Sequence, residues 1–81
     1  MNDWQTINDR LEKTFTFGSF AEALAFVNKV GELCEKHNHH PDICLQNYKE
    51  VFISTTTHDA GNVVTQGDRK LVEEVDGVVG E

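Results

Sequence analysis

All four histidines of the 81-residue chain fall in two short stretches, Glu35-Lys36-His37-Asn38-His39-His40-Pro41-Asp42 and Thr57-His58-Asp59. Imidazole is the side chain whose ordinary pKa, about 6.5, lies close to cellular pH, so it gives or takes a proton with little driving-force penalty. His39, His40 and His58 could therefore form a metal-free acid/base site. Glu35 precedes His39 by one helical turn, where its carboxylate could orient an imidazole or stabilise its protonated form. An ordinary solvated helix-end carboxylate is the alternative for Glu35.

Three other readings of these residues stand beside the first. Adjacent histidines also suit a solvated loop. Cys34, His37, His39, His40, Cys44 and His58 are all metal-ligand types, but their spacings match none of the usual zinc pairs, and neither C-x-x-C nor H-E-x-x-H occurs. Thiol catalysis is disfavoured: Cys34 shares a helix's apolar stripe, and Cys44 falls in a strand, where a thiol is usually inert packing.

The elements that must position these groups follow from the hydrophobic pattern. Residues 10–17 alternate apolar Leu11, Phe15 and Phe17 with polar Arg10, Glu12, Thr14 and Thr16, the pattern of a strand with one buried face. Residues 4–7 form a shorter strand before it, and Asn8-Asp9 supplies the turn of a hairpin. Ser19 with Glu22 makes a capping box, the carboxylate returning to the cap's own amide, so a helix starts there. Phe20, Leu24, Val27, Gly31 and Cys34, with Ala23, Val30 and Leu33 alongside, give it one apolar stripe. It stops near residues 36–38, because Pro41 and the residue before it resist helical geometry.

Residues 43–48 and 51–57, separated by Lys49-Glu50, predict a second hairpin, and residues 59–62 a loop. Thr65 with Asp68 repeats the capping logic, and Leu71, Val72, Val75, Val78 and Val79 supply a final helical stripe. The order ββαββα predicts an α+β fold: a four-stranded antiparallel sheet with both helices packed on one face, as a single domain over residues 1–81.

Composition limits the partners. The 7 Lys and Arg against 14 Asp and Glu leave a formal charge of −7, a field that repels nucleic-acid phosphates and anionic lipid. No run approaches the roughly 20 apolar residues of a membrane span. Met1-Asn2-Asp3-Trp4 lacks the features of a signal peptide, so a cytoplasmic address is expected. Cys34 and Cys44 are then expected as reduced thiols packed in or near the core, with a disulfide as the alternative.

One series of residues goes further. Glu35-x-x-x-His39-His40-Pro41, then Tyr48, then Thr57-His58-Asp59-x-Gly61, then Thr65-x-x-Asp68, resembles the pterin-4a-carbinolamine dehydratase family. The upstream Phe15-x-Phe17-x-x-Phe20 and the helix with Ala23-x-x-Phe26 are similar to the same family's entry into its first long helix. The resemblance runs from Trp4 to about Val75. It implies a 4a-hydroxy-tetrahydropterin substrate, released by aromatic amino acid hydroxylases, and its dehydration to quinonoid dihydropterin in support of tetrahydrobiopterin regeneration. A proton goes to the leaving hydroxyl at C4a and another leaves N5, with no metal or cofactor required.

By position, His39, His40 and His58 resemble the family's catalytic histidines, with Glu35 as the accompanying carboxylate. His39 and His58 are expected as the proton-transfer pair and His40 chiefly as a positioning residue. The segments Asn38 to His40 and Thr56 to Asp59 match those that line the pterin, although Thr56 and Thr57 also suit plain strand positions and Asp59 a turn cap. His37 reads as a surface residue, Pro41 and Asp42 as loop-shaping residues, and Asp68 fits either the second helix's first turn or the site.

The resemblance also implies a homodimer or homotetramer. Two departures accompany it: the additional N-terminal helix of many members is expected to be missing, and Asp42-Ile43 stands where some relatives carry Trp. The rival implication is a non-catalytic binding partner, either a transcriptional dimerisation cofactor or a ribulose bisphosphate carboxylase assembly factor. Such members tend to lose the paired histidines, which this chain keeps.

Overall fold

Two Asn/Asp-containing turns set the strand pairing. In the computed structural model, which describes residues 4–79, Asn8 and Asp9 both take left-handed backbone (φ 51° and 61°). Short Asx side chains tolerate that conformation, and it matches a two-residue hairpin turn. It joins β1 (Gln5–Ile7) to β2 (Arg10–Thr16), pairing Ile7 with Arg10. The second turn lies earlier than the sequence reading placed it. Strand β3 (Asp42–Gln46) ends before Asn47, Tyr48 and Lys49, and β4 (Glu50–Thr55) begins with Glu50 opposite Gln46. Asn47 takes the left-handed conformation (φ 49°) and its side chain donates to Glu50 Oε1 at 2.8 Å, which draws Tyr48 out of the strand to an exposed tip.

The sheet is antiparallel throughout, in the order β1-β2-β4-β3. Leu11 and Phe15 of β2 are buried with Val51, Ile53 and Thr55 of β4, and Ile43 and Leu45 of β3 lie half-buried on the same period of two. The helices α1 (Phe20–His37) and α2 (Gln66–Val79) close over this face, so the ββαββα expectation is met. Among the described residues no helix is long and apolar enough to cross a membrane.

Ser19 caps α1, its hydroxyl accepting from the Glu22 amide at 3.2 Å. The Glu22 carboxylate accepts from Gly18 N at 2.9 Å, one residue ahead of the amide expected for a capping box. Ser19→Ala is expected to cost about 1 kcal/mol, read as a lower denaturant midpoint at unchanged slope.

The buried face of α1 is Ala23, Phe26, Val30 and Cys34. This corrects the predicted stripe: Phe20 and Leu24 are 52% and 43% exposed. At 3.6 residues per turn the two rows are neighbours on the helix surface, and both are apolar. The choice falls to the Phe26 ring, which packs at 4.9 Å centroid distance from both Phe15 and Phe17.

The end of α1 is also set differently from the expectation. Asn38 turns left-handed (φ 52°, ψ 44°), with its amide on Glu35 O at 3.2 Å and the His39 amide on Cys34 O at 3.0 Å. This paired closure stops the helix before Pro41 can act. Both cysteines are free thiols, and Cys34 is buried as expected. Cys44 is exposed, because Ile43 and Leu45 take the inward positions of β3 and leave it on the outer sheet face. Burial, and then the charge of Glu35, push the Cys34 thiol above its ordinary value, so it is a packing group and not a nucleophile.

Candidate active site

Two chain segments meet at the end of the sheet where α1 stops and β4 runs out. The α1 closure carries Asn38, His39 and His40 directly off the helix end. Beyond β4, Thr57 bridges to Val63, its amide donating to Val63 O at 3.0 Å, and His58–Ala60 form a 3-10 turn. Residues 59–62 were expected as a loop, and within it Gly61, at φ 89°, ends that turn. Between the two segments lies a cavity of about 180 Å³ lined by Asn38, His39, His40, Thr56, Thr57, His58 and Asp59. The structure thus brings the three histidines together, although 18 positions separate His40 from His58.

Each of these imidazoles has one ring nitrogen tied to a side-chain oxygen. His39 Nε2 meets Asp68 Oδ1 at 2.5 Å, His40 Nε2 meets Glu35 Oε2 at 2.6 Å, and His58 Nδ1 meets Asn62 Oδ1 at 2.7 Å. An oxygen acceptor requires the facing nitrogen to carry hydrogen, so in the neutral rings the lone pair is left on Nδ1 of His39, Nδ1 of His40 and Nε2 of His58. Glu35 orients His40, not the His39 that helical spacing suggested, because the Asn38 reversal swings His39 away from the α1 surface. Both Glu35 and His40 are exposed, so that pair guides orientation at little energy.

His39 is held far more firmly. Its partner Asp68 is fully buried and stands at the third position of α2. Four close donors converge on the carboxylate, the hydroxyls of Thr55 (2.6 Å) and Thr57 (2.5 Å), the Thr65 amide (2.9 Å) and His39 Nε2, with the Thr65 hydroxyl farther off at 3.4 Å. Burial alone would raise the Asp68 pKa, but these hydrogen bonds outweigh it and hold the group at about 2. A fixed anion therefore sits behind His39.

The sequence left Asp68 open between helix support and the site, and it serves both, through the Thr65 amide and the His39 ring. Thr65-x-x-Asp68 signalled the first role by its capping spacing and the second by its place in the series that resembles the family. Asn62, the partner of His58, carried no signal beyond its place in a turn.

The threonines and outlying residues are accounted for in the same way. Thr56 and Thr57 line the cavity with their hydroxyls already donating, Thr56 to Asp9 O at 2.9 Å and Thr57 to Asp68. His37 lies outside the cavity and contacts Glu74 across the α1–α2 seam. Its hydrogen bond is the main reason that Glu74 titrates below the usual carboxylate range, with Lys36 adding to the effect. Asp42 pairs with Arg10 at 2.7 Å, away from the cavity. Among the described residues no group of three or more His, Cys, Asp or Glu is arranged to hold a metal ion.

Comparison with known proteins bears on this geometry. The family described as Pterin 4 alpha carbinolamine dehydratase matches residues 1–78. A relative from Sulfurisphaera tokodaii, provisionally named a pterin-4-alpha-carbinolamine dehydratase, is 42% identical over 76 residues, covering 94% of this chain and 80% of its own. One from Thermomicrobium roseum with the same provisional name is 46% identical over 74 residues, covering 86% and 77%. Among solved structures, a transcriptional coactivator/pterin dehydratase from Brucella melitensis superposes with a TM-score of 0.85 at 27% identity, over 93% of this chain and 80% of the other. A pterin dehydratase-like protein described as a RuBisCO assembly factor in the alpha-carboxysome superposes with a TM-score of 0.76, also at 27% identity, over 99% and 90%.

Proposed function

As the chain belongs to the pterin-4-alpha-carbinolamine dehydratase family, we propose that it removes water from a 4a-hydroxy-tetrahydropterin to give the quinonoid dihydropterin. The observation that supports this most is the single cavity flanked by His39, His40 and His58, each with one nitrogen tied and one left for proton exchange. In the reaction the C4a–O bond breaks, the hydroxyl leaves as water after taking a proton, N5 loses its hydrogen, and the C4a–N5 double bond forms. One proton is delivered and one is removed, and no electron is transferred to or from the pterin, so the scheme calls on no metal or redox cofactor.

His39 Nδ1 and His58 Nε2 are the proposed proton-transfer atoms, reaching the ring from the two segments that bound the cavity. His40, steadied by Glu35, positions the substrate, and Asn38, Thr56, Thr57 and Asp59 complete the wall. We assign Asp68 the task of presenting His39 in one tautomer. The proposal includes a cytoplasmic protein acting as a homodimer or homotetramer.

The direct test is a spectroscopic dehydration assay on a chemically prepared 4a-carbinolamine, with the parent beside His39→Ala and His58→Ala. The parent should exceed the buffer rate and both variants should fall toward it. Imidazole proton transfer also requires the rate to change with pH between about 5 and 9, and a flat profile would count against it.

The described functions of the two solved neighbours, coactivation and RuBisCO assembly, support a second reading as a non-catalytic binding partner. A folded parent with no rate above buffer would favour that reading.

A further inference from the structure

Gly67 has no backbone reason to be glycine. It lies in the first turn of α2, and the positive φ among the described glycines belongs to Gly61. Alanine is the better helix former, since glycine loses more backbone entropy on folding. Space does not require glycine either: a Cβ at position 67 would meet nothing nearer than 3.6 Å. What it would meet is informative. Its nearest neighbours are His39 Nδ1 at 3.6 Å, Thr65 Oγ1 at 3.6 Å and His39 Cε1 at 3.7 Å. The bare helix turn therefore borders the edge of the His39 ring that carries the uncommitted nitrogen, while Asp68 holds the opposite nitrogen.

The surroundings make this edge sensitive to cover. The His39 side chain is only 15% exposed, whereas Gly67 is exposed. Helical side chains lean toward the N-terminal turn, so anything longer than a methyl at position 67 would lie over Thr65 and the Nδ1 edge of His39. We propose that Gly67 is an access residue, keeping His39 Nδ1 open for proton exchange. The inference deepens the dehydratase reading and, for its link to catalysis, rests on it.

Gly67→Ala and Gly67→Leu test the proposal by two measurements. The first is the rate at which diethyl pyrocarbonate acylates His39, followed by peptide mass mapping, with His58 as an internal reference. The second is kcat and KM for carbinolamine dehydration. Gly67→Leu is expected to lower kcat by about 100-fold, the scale of losing a positioned acid/base group. His39 acylation should slow in step while His58 acylation stays at the parent rate, and KM should move far less than kcat. Gly67→Ala should fall between parent and Gly67→Leu in both measurements.

A folded Gly67→Leu whose His39 reacts at the parent rate overturns the proposal. If circular dichroism shows that the leucine variant does not fold, an alanine variant whose His39 reacts like the parent's overturns it equally. Should the parent lack dehydratase activity, the functional reading fails, and the acylation rates still decide whether Gly67 opens His39.

Discussion

Asp68→Asn is expected to lose about 2 kcal/mol of stability at neutral pH and at least about 100-fold in dehydration rate. The stability figure follows from the hydrogen bonds that hold the buried carboxyl at about 2, against an ordinary aspartate value of about 3.9 in the unfolded chain. A group whose folded pKa is depressed contributes stability above its unfolded pKa and loses it as pH falls through the folded one. The parent's advantage should therefore be full above about pH 4 and should close as pH falls toward about 2. Urea denaturation of parent and variant at pH 7 and near pH 2 measures this directly, and a gap that stays constant would contradict it.

The rate loss has a separate cause. Asparagine offers one oxygen and one NH2, whereas Asp68 meets donors at both oxygens: the Thr65 amide at Oδ2, and His39 Nε2 at Oδ1. If the NH2 faces His39, the ring must accept at Nε2 and move its proton to Nδ1, the nitrogen proposed to face chemistry. If it faces Thr65, two N–H groups oppose each other and the first turn of α2 must shift.

His58→Ala separates catalysis from folding more cleanly. His58 is exposed and, among the described residues, its ring is tied to Asn62 alone. Its removal should leave the denaturation midpoint within about 0.5 kcal/mol of the parent, because no buried contact is lost. The dehydration rate should fall by about 100- to 10,000-fold if the imidazole transfers a proton. His39→Ala is expected to combine the rate loss with destabilisation, since it strips one of four close donors from a buried anion. Measuring kcat and a urea midpoint for both variants gives the contrast, and a destabilised His58→Ala with an unchanged rate would reverse the assignment.

Much of the architecture was legible because it depends on near neighbours in the chain. The alternation of β2, the Asn8-Asp9 turn, the Ser19 cap of α1 and the Thr65 entry to α2 each arise within a few residues. The histidine stretches were likewise visible as a set, and their meeting followed once α1 and β4 ended on the same side of the sheet.

Other features needed the packed molecule. Two adjacent rows of α1 are apolar, and only the Phe15 and Phe17 rings select the row through Phe26. Cys44 and Tyr48 carry strand-like side chains, yet a turn that starts two residues earlier and the inward preference of Ile43 and Leu45 leave both exposed. The sharpest case is His39. Spacing along a helix pointed to Glu35, but a left-handed Asn38 and the docking of α2 deliver a carboxylate 29 positions away. The residues themselves determined which chemical groups are present, the order of strands and helices, and where each element starts, because these rest on local backbone and side-chain preferences. The pairing of His39 Nε2 with Asp68, and so which atom of that ring is free for a proton, was decided only when α2 packed against the sheet beside the end of α1 and buried the carboxylate away from water.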